Sequence, residues 1–562
     1  MTNLQIAELL RNVASSYQYK DENKYKFQII AYNRAADAVE HSTSELKDLW
    51  DDGKLDEVPS IGPSITSHLD EIFKEGKSKH FDQVMSGIPK EAFTLMALPK
   101  VGIKTAIKMI EELPEPGLKR KILEAEALIN KVKRHLLPYA ENIASEVIEW
   151  LKEEPDIIKV DSLGSLRRKV ATVGDIDIAV ASNNPSAVFE RFVDYPKKQK
   201  VIEKGEHTAS VLLPGNVQVD LLVVNPESYG SALQHFTGSK HHNIALREFS
   251  LRKGLSMSEY GIKDLKSKKK IKLKTEEELY DYLGLAYIEP ELREDAGEIE
   301  ASREHNLPKL VELKDIKGDF QIHSDFDIET SHDLGVSTKE DLVEKGILLG
   351  YEYIAFTEHN PSRGKHKDSE IVEILKRKRE NVDQLNYSIQ KQTKNRVIHV
   401  FNSLEIDIPT NGGLSIPEKG LETLDFALVS IHSSFDLSRD LMTKRILSAL
   451  SYPKVKIFAH PTARKINERE GIEIDWEKVF DFCLTNNKFL EINADPMRLD
   501  LPDNLVRDAV KQGVKLTLGT DTHEVAMMDN MKYGIYTARR GWAEKKDIIN
   551  TLSIEDITKI LI

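Results

Sequence analysis

At 562 residues the chain is too long for one hydrophobic core, so several domains are expected. Its 40% hydrophobic and 30% charged content is that of a soluble globular protein, and a net charge of −13 excludes a uniformly basic nucleic-acid coat while leaving local basic patches open. The single cysteine, Cys483, excludes an internal disulfide, and no apolar run reaches membrane-spanning length.

Residues 1 to about 85 read as short amphipathic helices, with Leu4, Leu9, Leu10 and Val13, then Ile29, Ile30, Ala35 and Val39, at helical spacing. Met1-Thr2-Asn3-Leu4 lacks the basic and long apolar regions of a secretory signal, so a cytoplasmic protein is expected. Two segments then repeat a pattern. Val58-Pro59-Ser60-Ile61-Gly62-Pro63-Ser64-Ile65 and Leu98-Pro99-Lys100-Val101-Gly102-Ile103-Lys104-Thr105-Ala106 each set Pro, an apolar residue and Gly before a helix. This looks like a helix-hairpin-helix, whose glycine lets backbone N–H groups approach a phosphate. Gly62, Gly102 and Lys104 are the expected DNA contacts, although Ser60 and Lys100 stand where a first glycine is commonest.

A charged helical stretch from about 119 to 152 leads to Gly164-Ser165-Leu166-Arg167-Arg168 and then Val173-Gly174-Asp175-Ile176-Asp177-Ile178-Ala179-Val180. Acid alternating with apolar residue reads as a strand with Asp175 and Asp177 on one face, a candidate divalent-metal site beside a glycine-led turn suited to phosphates. A solvated strand face is the alternative. Ala209 to Leu213 and Val217 to Val224 read as a hairpin around Pro214-Gly215-Asn216. Within it Asp220 is either a third metal ligand or a surface-facing acid on an edge strand.

Next come Tyr229-Gly230-Ser231-Ala232-Leu233-Gln234-His235-Phe236-Thr237-Gly238-Ser239, then Asn243, Arg247 and Ser258-Glu259-Tyr260-Gly261. Taken with Gly-Ser-x-Arg-Arg, Gly-Asp-Ile-Asp and Asp220, residues 1 to about 290 resemble a family X DNA polymerase. The resemblance implies that Asp175 and Asp177 bind both metals, while Asp220 binds the catalytic one and helps deprotonate the primer 3′-hydroxyl. It implies that Ser165, Arg168 and Gly174 hold the triphosphate, that His235, Phe236 and Gly238 line the sugar pocket, and that Asn243 and Arg247 reach the minor groove. Two residues depart from the family. His235 replaces a tyrosine that helps exclude ribonucleotides, and His68 replaces the Schiff-base lysine of a deoxyribose-phosphate lyase, so no efficient lyase is expected by that route. The run Lys263 to Lys274, with seven lysines, is either a solvated loop or a DNA-backbone contact, and residues 291–315 are expected as a linker.

From 316 onward, seven apolar runs ending in potential metal ligands alternate with helical stretches: Asp319 to His323, Tyr353 to His359, Val397 to Phe401 leading to Glu405, Phe426 to His432, Val455 to His460, Phe489 to Asn493 and Val514 to His523. Repeated strand-then-helix argues for a parallel barrel with its chemistry at the strand carboxyl ends. This half looks like a PHP (polymerase and histidinol phosphatase) domain, and the resemblance implies phosphoester hydrolysis with His323, His359, Glu405, His432, His460, Asp521 and His523 as ligands. Gln321 stands where the family has its first histidine, Glu358 replaces an aspartate, and the expected acid is displaced. Asp333 is taken as that acid, with Asp325 and Asp327 as alternatives. Imidazoles mixed with carboxylates suit Mn²⁺ or Zn²⁺.

The fold expected is an α-helical helix-hairpin-helix region (1–85 and 86–150), an α+β nucleotidyltransferase palm (151–228) with a small nucleotide-selecting subdomain (229–290), and a distorted β/α barrel (316–562). The function expected is gap-filling DNA synthesis in repair, by a monomer acting on gapped or primer-template DNA and dNTPs with Mg²⁺ or Mn²⁺, near the nucleoid, with a 3′→5′ exonuclease in the barrel. The alternatives for the barrel are an abasic-site endonuclease, a pyrophosphatase, or a catalytically weakened module that holds DNA.

Overall fold

The computed structural model describes residues 3–40, 46–51, 53, 55, 58, 61–98, 101–129, 134–205, 208–392 and 398–562. Pro59, Ser60, Pro99 and Lys100 of the two hairpin segments, and Val397 of one expected strand, lie outside the described residues. The chain separates into two compact units: Met1–Leu166 with Thr172–Thr237 and Gly254–Glu276, and Arg167–Ala171 with Gly238–Lys253 and Glu277–Ile562.

The first unit begins with helices, including Asn3–Asp21, Lys26–Glu40, Pro63–Glu75 and Ile103–Glu112. Ile6, Leu10, Val13, Leu69 and Phe81 form one buried cluster, and Leu95, Ile103, Ala106 and Ala125 form another. A five-stranded sheet follows, made of β1 (Ile157–Ser162), β2 (Ile176–Ser182), β3 (Lys200–Lys204), β4 (Thr208–Leu213) and β5 (Val217–Val224), in the order β1-β2-β5-β4-β3. The β2–β5 pair is parallel and the others are antiparallel. Strand β5 alternates strictly: Val217, Val219, Leu221 and Val223 are buried, while Gln218 and Asp220 share the half-exposed face. Asp220 is thus neither enclosed in apolar surroundings nor on an edge strand, because β5 lies between β2 and β4. Asp175 precedes β2 rather than lying in it.

Among the described residues the second unit carries eight parallel strands, one more than the seven runs predict. They are β6 (Gly318–Ile322), β7 (Tyr353–Phe356), β8 (His399–Asn402), β9 (Glu405–Asp407), β10 (Ala427–Ser430), β11 (Val455–Phe458), β12 (Phe489–Asn493) and β13 (Leu516–Gly519). The described part of the run from Val397 to Phe401 and the Glu405 it leads to fall on two strands, β8 and β9, which belong to different sheets: β6-β7-β8 and β9-β10-β11-β12-β13. Parallel bridges between Ile322 and Thr522 and between His359 and Glu405 tie these sheets to each other. Alternate residues of β7 divide between two cores. Tyr353 and Ala355 pack with Phe320, Phe401 and Phe426, an aromatic cluster closed by Ile557 and Leu561 of the last helix, while Ile354 and Phe356 face the core under the surrounding helices. The expected linker carries buried polar residues: Arg293 bonds to the Ile288 carbonyl, and Glu298 accepts from His242 Nδ1 at 2.6 Å.

Candidate functional site

In the first unit, register brings the aspartates together. Asp177 pairs directly with Asp220 across the parallel β2–β5 ladder, and Asp175 stands just before β2. One carboxylate oxygen from each of the three lies within 4.8 Å of the others. Gln218 Nε2 donates to both oxygens of Asp220, at 2.9 and 3.0 Å, and the Ser210 hydroxyl donates to Oδ1. These bonds fix the carboxylate while Asp175 stays exposed. Gly164 has a φ of +56°, and a side chain there would start 2.6 Å from Asp177 Oδ2, so only glycine permits this turn to pass the acid.

The expected nucleotide-binding residues are divided between the units. Ser165, Gly174, His235 and Phe236 belong to the first, with Ser165 in the turn Gly164–Arg167 and Phe236 exposed. Arg168, Gly238, Asn243 and Arg247 belong to the second, where Arg168 Nε pairs with Glu294 at 3.0 Å. Gly62 and Gly102 cap the helices Pro63–Glu75 and Ile103–Glu112 in extended conformations, and a Cβ at either would meet nothing within 4 Å. Lys104 pairs with Glu22 at 3.0 Å. His68 stacks on His80 with ring centroids 4.3 Å apart. In the lysine run, Lys272 pairs with Glu227 on an exposed face.

In the second unit the ends of β6 to β13 converge on a buried centre. Four groups of ligand atoms, each within 4.8 Å, share members: His323–His359–His523, His332–His359–His432, Glu405–His432–His460 and His323–Glu405–Asp521. Glu405 lies at the middle, 2.8 Å from His460 Nε2, 3.3 Å from His432 Nε2 and 3.4 Å from His323 Nε2. Burial opposes its charge, and the surrounding imidazoles outweigh that and hold it well below the usual carboxylate range. Burial likewise opposes the charges of Asp521 and His432. The hydrogen bond with His323 keeps Asp521 low, and bonds with Asp407 and Glu405 push His432 up to about 9. Burial lowers His359, His460 and His523, leaving them neutral imidazoles able to bind a cation.

Gln321 occupies the first-ligand position and is buried. Its Nε2 donates to Glu405 Oε2 at 3.0 Å, and its Oε1 accepts from Asn493 Nδ2 at 3.2 Å. Among the described residues Asp325, Asp327 and Asp333 belong to none of the four groups. The neighbouring His332 does, with its Nε2 2.7 Å from Asp407 Oδ2. Asp407 also bonds His432 Nδ1 at 2.7 Å, so one carboxylate orients two imidazoles. Sequence reading missed His332 because the acid beside it matched the expected chemistry. It missed Asp407 although its spacing of two from Glu405 puts both on one strand face. Glu491, whose charge burial strongly disfavours, was also passed over.

Buried atoms left without a hydrogen-bond partner test whether metal fits. They include Nδ1 of His323, His359 and His460, Nε2 of His523 and Oε1 of Glu491. Dry, unpaired polar atoms are costly, and neutral imidazoles beside carboxylates suit a divalent transition metal. The donor set fits such ions. His460 and Asp521 also hold left-handed backbones, φ +30° and +54°, which cost non-glycine residues about 1–3 kcal/mol each and collect at functional sites.

The description "DNA polymerase beta thumb" matches residues 232–294 and "Helix-hairpin-helix domain" matches residues 1–78. The chain is 33% identical to the DNA polymerase/3′-5′ exonuclease PolX of Bacillus subtilis, over 99% of this chain and 98% of that protein. It is 23% identical to the DNA polymerase lambda of Rattus norvegicus, over 52% of this chain and 56% of that one. A "Probable phosphatase" of Acetivibrio thermocellus is 27% identical over 35% of this chain and 78% of its own length.

Proposed function

We propose, from the premise that this chain belongs to the PolX group of family X DNA polymerases, that it fills short gaps in DNA during repair and trims 3′ ends at a second centre. It is a DNA-directed DNA polymerase, a nucleotidyltransferase with 3′→5′ exonuclease activity. Asp175 and Asp177 would hold both metals and Asp220 the catalytic one, with Asp220 also helping to deprotonate the primer 3′-hydroxyl, a reading supported by the closeness of the three carboxylates. Gln218 and Ser210 keep the Asp220 carboxylate aimed at that proton. Ser165, Arg168 and Gly174 take the triphosphate, His235, Phe236 and Gly238 the sugar, and Asn243 and Arg247 the minor groove. Neither conformation nor crowding demands glycine at 62 and 102, which leaves close passage of a DNA backbone as their role, with Lys104 beside it.

The eight strands of the second unit form a distorted β/α barrel of the PHP type, a reading supported by the bridges that join its two sheets. His323, His359, Glu405, His432, His460, Asp521 and His523 hold Mn²⁺ or Zn²⁺, and His332 takes the place given to Asp333. Divalent ions supply, at both centres, neutralisation of phosphate charge and a more acidic nucleophile. Glu405 bridges the ligand groups, Asp407 keeps His332 and His432 in ligating orientation, and Gln321 holds Glu405 in place of an imidazole. The observation that carries the hydrolytic reading is the set of buried, unpartnered imidazole nitrogens, which a degraded centre has no reason to keep. The similarity to a named phosphatase favours one further reading, hydrolysis of another phosphoester at the same centre. A gapped primer incubated with and without dNTPs, in Mg²⁺ and then Mn²⁺, tests both centres. Extension with dNTPs and 3′ shortening without them are expected, whereas incision at abasic sites with intact 3′ ends would assign the second centre to the other reading.

A further inference from the structure

The loop after β12 is held by more bonds than its length requires. The Asp495 N–H donates to Asn493 Oδ1 at 3.0 Å, Asp495 Oδ1 accepts from the Met497 N–H at 3.0 Å, and the Asp495 carbonyl accepts from the N–H groups of Arg498 and Leu499, each at 2.8 Å. From outside the loop, Arg464 donates to the carbonyls of Arg498, at 2.7 Å, and Leu499, and the Met497 carbonyl accepts from the Ile466 N–H at 2.7 Å. Leu499 sits at φ +42°, a left-handed conformation that an aliphatic residue keeps only when its surroundings over-determine it.

This rigid support carries one side chain that is held by ion pairs alone. Arg498 is 14% exposed, and its guanidinium makes no hydrogen bond among the described residues. Its nearest acceptors are Asp521 Oδ2, 3.4 Å from Nε, and Asp495 Oδ2, at 4.0 Å, both ion-pair contacts without hydrogen-bond geometry. The arginines beside it differ. Arg464 and Arg469 spend their donors on the carbonyls of Arg498, Leu499 and Ala463. A guanidinium presents five donors in a planar fork that matches two oxygens of a phosphate, and ion pairs through Nε alone leave the fork's other donors without a hydrogen bond. Asp521, its ion-pair partner, is a member of the His323–Glu405–Asp521 group, so the fork stands at the margin of the buried centre.

The geometry points to Arg498 as the phosphate clamp of the carboxy-terminal centre, its guanidinium binding two oxygens of the phosphodiester under attack and then the phosphate of the released 5′-mononucleotide. The inference rests on the phosphoester reading above. In that hydrolysis a water oxygen bonds to phosphorus as the P–O3′ bond breaks, a water proton ends on the 3′-oxygen, and no further reactant enters. Negative charge gathers on the oxygens that the fork holds, so the contact strengthens towards the transition state.

The test is titration calorimetry of dTMP into the Mn²⁺-loaded full chain, with Mn²⁺ content and melting temperature measured for each variant. Arg498→Gln is expected to weaken dTMP at least about tenfold at unchanged Mn²⁺ content, with Arg498→Lys intermediate, because the point charge survives and the fork does not. Unchanged dTMP affinity in Arg498→Gln overturns the proposal, as does failure of the wild type to bind dTMP. If Arg498→Gln loses Mn²⁺ or stability, Arg498→Lys decides: retained Mn²⁺ with weaker dTMP supports the clamp, and lost Mn²⁺ makes Arg498 a prop for Asp521 and overturns it. Failure of the phosphoester reading itself shows differently, as a wild type that binds dTMP and leaves every DNA substrate intact.

Discussion

The aspartate group beside β2 and β5 and the histidine-rich centre of the second unit both gather metal-ligating side chains, and they differ in how deeply those side chains are buried. Asp175 is exposed, and Asp177 and Asp220 are half-buried, so each can remain a hydrated carboxylate with no ion present. In the other centre His323, Glu405 and Asp521 are all buried, and several imidazole nitrogens have no hydrogen-bond partner. An open group suits metal that arrives with its phosphates and leaves with the product. A dry group needs a resident ion to satisfy its donors.

Asp220→Ala tests the open group most severely. Gap filling should fall by about 10³-fold or more with DNA affinity retained in a gel-shift assay, and undiminished extension would remove the first centre from the comparison. His359→Ala is the matching lesion in the dry group, and 3′ degradation in Mn²⁺ should fall about 100-fold. Should degradation respond to Asp175→Ala and not to His359→Ala, the nuclease belongs to the open group and the contrast breaks. Chelation separates the two by stability. Removing a resident ion held at 1,000 times its Kd costs about 4 kcal/mol, so the EDTA-treated chain should melt several degrees lower and recover with Mn²⁺. Asp175→Ala should leave that difference unchanged, and identical melting of treated and untreated wild type would mean the dry centre holds no ion.

The smallest effect measures dryness directly. Asp319, on β6, accepts from the Thr520 hydroxyl at 2.5 Å, and burial raises it from 3.8 to about 7. A folded value above the unfolded one means that the proton stabilises the fold. This contribution is fully present below about pH 4 and lost as pH rises through about 7, on the order of 1–3 kcal/mol. Urea unfolding between pH 5 and 8 should show wild-type stability falling relative to Asp319→Asn, and parallel profiles would mean that the strand ends are wetter than described.

How legible each centre was follows from its geometry. Asp177 and Asp220 were readable because strand periodicity and hairpin spacing are local properties. His359, His432, His460, Asp521 and His523 were readable because each follows an apolar run of strand length. His332 was not, since the loop between β6 and β7 has no period to say whether the histidine or Asp333 turns inward. The bridge between Thr330 and Pro361 belongs to the path that decides it. Arg498 lies in a similar loop, and its place beside Asp521 is set by a contact between residues with no periodic relation in the chain.

By itself the sequence determined the order of elements, the face of β5 that carries Asp220, and the recurrence of metal ligands at strand ends, because these depend on residue type and near-neighbour spacing. Only the tertiary structure decided that β8 and β9 are separate strands and that Asp407 serves two imidazoles. It also decided that Gln321 bonds Glu405 and that Glu298 is buried against His242. Those bonds join residues 25 to 84 positions apart, and which of them meet is set by long-range packing, to which no local pattern of apolar and polar residues is sensitive.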